Sequence, residues 1–185
     1  MAQQRLLSLD ILRGLTIFLM IIVNTPGSWS HVYAPLLHAE WDGLTPTDFV
    51  FPSFLFIVGA SIVFALGKKI DQKGVVTKIL WRALKIYLVG LFLWLWPKFD
   101  FSNIRYVGVL PRIAIVYLIC ALIFVFTKRS NQWRLVFWIL GIYTLVMVFL
   151  PVPGVGIPDL SVPMKNWAHY LDGKILPGYL WQKTW

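Results

Sequence analysis

Charge is scarce in this sequence and cysteine nearly absent. Only 14% of its 185 residues are Asp, Glu, Lys or Arg. One cysteine, Cys120, excludes an intrachain disulfide; lying inside an apolar run, it reads as a small core residue. No Gly-rich phosphate loop of Walker type is present, so an ATP-driven pump has no support. No cluster has metal-ligand spacing, His31 and His169 included, and no metal is expected. Residues 25–46 contain no Lys or Arg at all.

What is abundant is apolar surface. With 58% hydrophobic and 16% aromatic residues, the chain has more than one globular core of its size could hide, and a bilayer must take up the excess. Several of the ten tryptophans (Trp29, Trp41, Trp81, Trp94, Trp96, Trp133) stand near the ends of apolar runs, as in the aromatic belts where lipid meets water. The net charge of +9 does not point to nucleic acid, because the bases fall in short clusters between apolar runs.

Five runs are long enough to cross about 30 Å of hydrocarbon, near residues 6–24, 49–66, 79–96, 107–126 and 133–150. Asp10 and Arg13 interrupt the first, which is read as a retained span rather than a signal peptide. Backbone groups in lipid must be bonded internally, so the runs are helices and the fold class is all-α, a polytopic transmembrane bundle of about five spans. The basic loops "GKKIDQKGVVTK" and "TKRSNQWR" place themselves and the N-terminus in the cytoplasm, with residues 25–46 outside. Residues 1–150 form the bundle; 151–185 form an extracytoplasmic tail whose prolines and glycines forbid regular structure in its first part. A short interfacial helix ending near Gly173 is expected in the second. An odd number of spans with a polar tail suggests part of a longer chain.

The stretch "LLHAEWDGLTPTDFVFP", residues 36–52, gathers chemistry before the second run. Thr45, Pro46 and Asp48 read as a helix start: N-cap, proline at the first helical position, and a capping-box carboxylate. Pro52 lacks the N–H that would bond the Asp48 carbonyl, which loosens the first turns. A helix N-terminus favours an anion or a developing oxyanion. His38, folded over that end, could take a proton from an attacking amine or hydroxyl in acyl transfer. Asp42 could orient the ring if the piece is helical; Glu40 is the weaker candidate. The plainer alternative makes His38 an interfacial polar residue with no role.

Elsewhere, Asp10 and Arg13 share a helical face and can pair, as architecture, or with Arg13 meeting a phosphate of a cytoplasmic ligand. Lys78, Arg82 and Lys85 form a basic stripe, read first as snorkelling to lipid headgroups and second as a nucleotide-phosphate site. Arg112, at the outer end of the fourth run, needs a carboxylate, water or a cavity, with Asp42, Asp48 and Asp100 the nearest acids in prospect. Asn24 could bond a substrate carbonyl or cap the first helix. Ser61 and Ala65, with Gly59, permit close helix packing.

Together "SLDILRGLTIFLMIIVN", "LLHAEWDGLTPTDFVFPSFLFIVGASI" and "YVGVLPRIAIVYL" resemble the heparan-α-glucosaminide N-acetyltransferase family, in order and over nearly the whole chain. The resemblance implies a multi-span enzyme of the inner membrane that moves an acetyl group from cytoplasmic acetyl-CoA to a glucosamine-type amino sugar on the periplasmic side. It implies His38 as catalytic base or acyl acceptor and Asn24 as the group polarising a carbonyl. Trp41, Asp42, Asp48 and Arg112 then fall in the substrate region and Arg13 on the cofactor side. A homodimer follows from the resemblance alone; membrane lipid is the remaining partner, and no nucleic acid. Asp42 stands where the family usually has Asn, and Pro111 where it has Gln. The rival from another class is an amino-sugar permease or transporter-associated subunit without acyl transfer.

Overall fold

The computed structural model describes residues 6–41, 43–70, 72–101 and 104–175, and every regular element among them is helical. The long helices are α1 (Leu7–Asn24), α2 (Val50–Leu66), α3 (Val75–Leu95), α4 (Val109–Phe126) and α5 (Arg129–Phe149), and a short α6 spans Trp167–Ile175. Four of them, α1, α4, α5 and α2 with its leading turn, are long and apolar enough to cross a membrane. The chain is a helical membrane protein. α3 has the length, but Lys78, Arg82 and Lys85 set it apart. It also starts four residues before the apolar run expected at 79–96, as α5 starts four before 133. Hydropathy marks the part of a helix that lipid can solvate, whereas i→i−4 bonding continues into the polar turns beyond.

Contacts divide the chain into two units that meet at Phe64 and Ala65. In the first, polar groups in the helices find partners nearby, as burial in lipid demands. Buried Thr16 donates its hydroxyl to the Leu12 carbonyl at 2.7 Å. Arg13 lies 3.6 Å from Asp10 and donates to Ser61 Oγ at 3.2 Å. Ser61 therefore does more than leave room for close packing: it ties the first half of α1 to the second half of α2.

The second unit is built on the α3–α4 pair. Ile79, Ala83 and Gly90 of α3 and Pro111, Ile113, Ala114, Tyr117 and Ala121 of α4 are buried. Pro111 is tolerated in the first turn of α4, where its missing N–H would have no partner. Its ring fills the space left by Gly90, so that a Cβ there would sit 2.5 Å from Pro111 Cδ and 2.8 Å from Leu110 Cβ. Arg82 lies over the Tyr117 ring, 5.1 Å from its centroid, and Tyr87 donates its hydroxyl to the Tyr106 carbonyl at 3.2 Å. Pro97 ends α3 by confining Trp96 to an extended conformation, φ −70° and ψ 135°. Cys120 is exposed on α4 rather than packed in a core.

No residue of α5 is buried, which leaves its surface for lipid or further protein. After it, the tail forms neither helix nor strand, yet it is ordered: Val152 and Gly156 pair in an isolated antiparallel bridge, and Asp159 bonds the backbone and hydroxyl of Ser161. Buried Asn166 caps α6, accepting the His169 N–H at 2.9 Å and donating to the Pro163 carbonyl at 2.8 Å. Trp167 Nε1 donates to the Leu150 carbonyl at 2.8 Å, fixing α6 to the end of α5. α6 continues past Gly173 to Ile175, two residues beyond the stop expected from that glycine.

The tightest helix contact provides a stability test. Gly90→Val should lower the unfolding free energy of the detergent-solubilised protein by about 1–3 kcal/mol, the usual range for overpacking. Gly141→Ala in α5, where an added Cβ meets nothing within 4 Å, should leave the thermal melt unchanged or raise it slightly, alanine being the better helix former. Equal melts for both variants would contradict a close α3–α4 approach.

Candidate functional site

The site grows out of how the chain enters α2. Thr45 is extended (φ −108°, ψ 162°), Pro46 opens a 3₁₀ turn, Pro46–Phe49, and the capping-box pairing of Thr45 with Asp48 is present. Asp48 Oδ2 accepts the Thr45 N–H at 2.9 Å, which satisfies a donor the helix start would otherwise leave open. The 3₁₀ geometry agrees with the loosening expected from Pro52.

The preceding segment is stapled onto this turn by its threonines. The Thr45 hydroxyl donates to the Leu37 carbonyl at 2.7 Å, and that of buried Thr47 to the Pro35 carbonyl at 3.2 Å. A second 3₁₀ turn, Ala34–Leu36, packs against Pro46–Phe49, and α1 packs against the same turn. Gly43, at φ +122°, takes a conformation closed to other residues and lets the chain double back.

This folding delivers His38 to the helix start. Its Nδ1 lies 2.7 Å from Asp48 Oδ1, and the Ala39 N–H is 3.4 Å from Oδ2. An ionised carboxylate only accepts, so Nδ1 carries the hydrogen and the lone pair of the neutral ring is on Nε2. The short distance is that of a charge-assisted bond. The His38 side chain is 69% exposed and that of Asp48 23%, so the carboxylate is sheltered while the imidazole stays open to a reactant.

The described partner of His38 is Asp48, ten residues on. Residues 37–41 are not helical, which removes the premise that placed Asp42 on the ring, and Asp42 itself lies outside the described residues. Asp48 holds the imidazole and caps the helix at once. Asn24, the last residue of α1, donates Nδ2 to the Met20 carbonyl at 2.8 Å, an end-of-helix bond that leaves its second amide hydrogen and its Oδ1. Trp41 is exposed beside Gly43 in sequence. Arg13 is engaged by Asp10 and Ser61, as described above. Arg112 belongs to the second unit, where Asp172 of α6, an acid absent from the sequence-based prospects, lies close enough to feel its charge. Burial raises the Asp172 carboxyl above its ordinary value, with Arg112 and then His169 pulling it back. Among the described residues no group of three His, Cys, Asp or Glu could hold a metal ion.

A family profile described as heparan-alpha-glucosaminide N-acetyltransferase, catalytic, matches residues 5–166. The chain belongs to the heparan-alpha-glucosaminide N-acetyltransferase family. It is 31% identical over 180 residues to the human protein named heparan-alpha-glucosaminide N-acetyltransferase, covering 81% of this chain and 26% of that protein. The mouse protein of the same name is 29% identical over 180 residues, covering 81% and 27%. The chain thus spans about a quarter of the length of these curated acetyltransferase relatives. The matched residues include the whole His38–Asp48 arrangement and all of α1–α5.

If Asp48 sets the ring's tautomer, ¹⁵N NMR of the neutral form of His38 should show a protonated Nδ1 and a bare Nε2, and Asp48→Ala should abolish that preference. The same substitution removes the cap and should cost about 0.5–2 kcal/mol of stability. An unchanged tautomer would place the hydrogen bond outside the solution structure.

Proposed function

We propose that the protein transfers an acetyl group from acetyl-CoA, held on the cytoplasmic side, to the amine of a glucosamine-type sugar on the periplasmic side of the inner membrane. The observation that carries this reading is the 2.7 Å bond from His38 Nδ1 to Asp48, which leaves Nε2 as a base of fixed orientation at the entrance to α2. Family membership supplies the chemistry that such a base would serve.

In the direct route the sugar nitrogen attacks the thioester carbonyl while Nε2 takes the amine's proton. The tetrahedral oxygen collapses, the C–S bond breaks, and the thiolate leaves with the proton from the imidazolium as free CoA. In a two-step route Nε2 attacks first and carries the acetyl group to the amine; both release the same CoA. Asp48 holds the ring throughout. Asn24, through its remaining amide hydrogen, polarises the carbonyl. Trp41 offers a face for the sugar ring, beside Asp42. Arg13 borders the cofactor side.

Purified protein in nanodiscs should release CoA from acetyl-CoA when given glucosamine. His38→Ala should cut that rate by a factor on the order of 10²–10⁴, the usual contribution of a positioned general base. An unchanged rate would remove His38 from the chemistry. Amino-sugar uptake into proteoliposomes with no thioester cleavage would make the protein a permease instead.

A further inference from the structure

A sugar amine is an ammonium in neutral water, and a site that selects it needs negative charge close to the base that will serve it. In a chain of net charge +9, residues 25–46 carry Glu40 and Asp42 and no Lys or Arg, a local charge of −2. Such a patch draws cations from solution. Of the two acids Glu40 lies among the described residues, where it is exposed and makes no hydrogen bond or ion pair. The Asp48 carboxylate, by contrast, is taken up by His38 and Thr45. Two peptide units put the Cα of Glu40 within about 7.6 Å of that of His38, and one puts it about 3.8 Å from that of Trp41.

An exposed glutamate is ordinarily a solvated charge and nothing more. This one stands in a segment pinned on both sides: the Leu37 carbonyl accepts the Thr45 hydroxyl at 2.7 Å, the Ala39 N–H lies 3.4 Å from Asp48 Oδ2, and Gly43 turns the chain back at φ +122°. The same bonds that hold the imidazole therefore keep a free carboxylate two residues away from it. We propose that Glu40 is a specificity-determining residue, which binds the ammonium of an amino sugar beside His38 and so selects free-amine sugars over their N-acylated counterparts. The inference rests on the acyl-transfer reading for the reason that an amine is needed there. The bound ammonium sheds one proton to water before attack and its second to Nε2, so the transfer step itself is unchanged. Trp41, next in sequence, adds an aromatic face that suits both a sugar ring and a cation.

The test uses the intact protein in zwitterionic nanodiscs and measures binding of glucosamine and N-acetylglucosamine by calorimetry, without acetyl-CoA. Wild type should prefer glucosamine, and added salt should shrink that preference. Glu40→Gln should weaken glucosamine by about three- to fivefold, the scale of an exposed ion pair, and leave N-acetylglucosamine unchanged. Glu40→Asp should restore most of the preference, and Glu40→Lys should weaken glucosamine further than Glu40→Gln does. Equal glucosamine affinity in wild type and Glu40→Gln overturns the proposal. So does an equal loss for both sugars, which is the mark of a structural role, and so does failure of wild type to bind glucosamine. Because binding is read apart from turnover, a protein that holds glucosamine through Glu40 yet releases no CoA defeats the acyl-transfer reading and leaves the amine site standing. Turnover lost in His38→Ala, with glucosamine affinity unmoved in Glu40→Gln, does the reverse.

Discussion

One carboxylate with two oxygens has to satisfy both the start of α2 and the imidazole laid over it. Asp48 Oδ2 takes the backbone donor of Thr45 and Oδ1 takes His38 Nδ1, so neither demand can be met by moving the group toward the other. The threonines do the rest: with Thr45 and Thr47 bound to the carbonyls of Leu37 and Pro35, the loop before the helix has little freedom to carry the histidine away. A base is thereby oriented by the same bonds that begin a membrane helix, and helix capping and ring orientation become one property of the fold.

The same economy of partners recurs wherever polar atoms enter apolar surroundings. Arg13 is shared between Asp10 and Ser61, and Thr16 returns its hydrogen to its own helix. Close packing follows a similar rule, with the Pro111 ring occupying the gap at Gly90.

Most of the fold was legible in the sequence because lipid imposes a strong, simple pattern. The helices fall where apolar runs of sufficient length predict them, and the motif Thr45-Pro46-x-Asp48 announces its own cap. What could not be read was pairing at a distance. The i, i+4 rule pointed from His38 to Asp42, but it applies only inside a helix, and the segment is held open by tertiary bonds. The ten-residue spacing from His38 to Asp48 has no local signature. Asp172 and Arg112 are sixty residues apart, and only the capped α6 brings them near one another. Asn24 remained ambiguous for a different reason: an amide ending a helix has two hydrogens, and one serves the helix whatever the other does.

The most direct test of the shared carboxylate is a double-mutant cycle on the transfer rate with His38→Ala, Asp48→Ala and the double variant, each checked for folding. If Asp48 acts on the chemistry through the imidazole, the double variant should be no slower than His38→Ala alone, with strong non-additivity. Rate losses that simply add would mean that the two residues act independently, and would contradict the dyad.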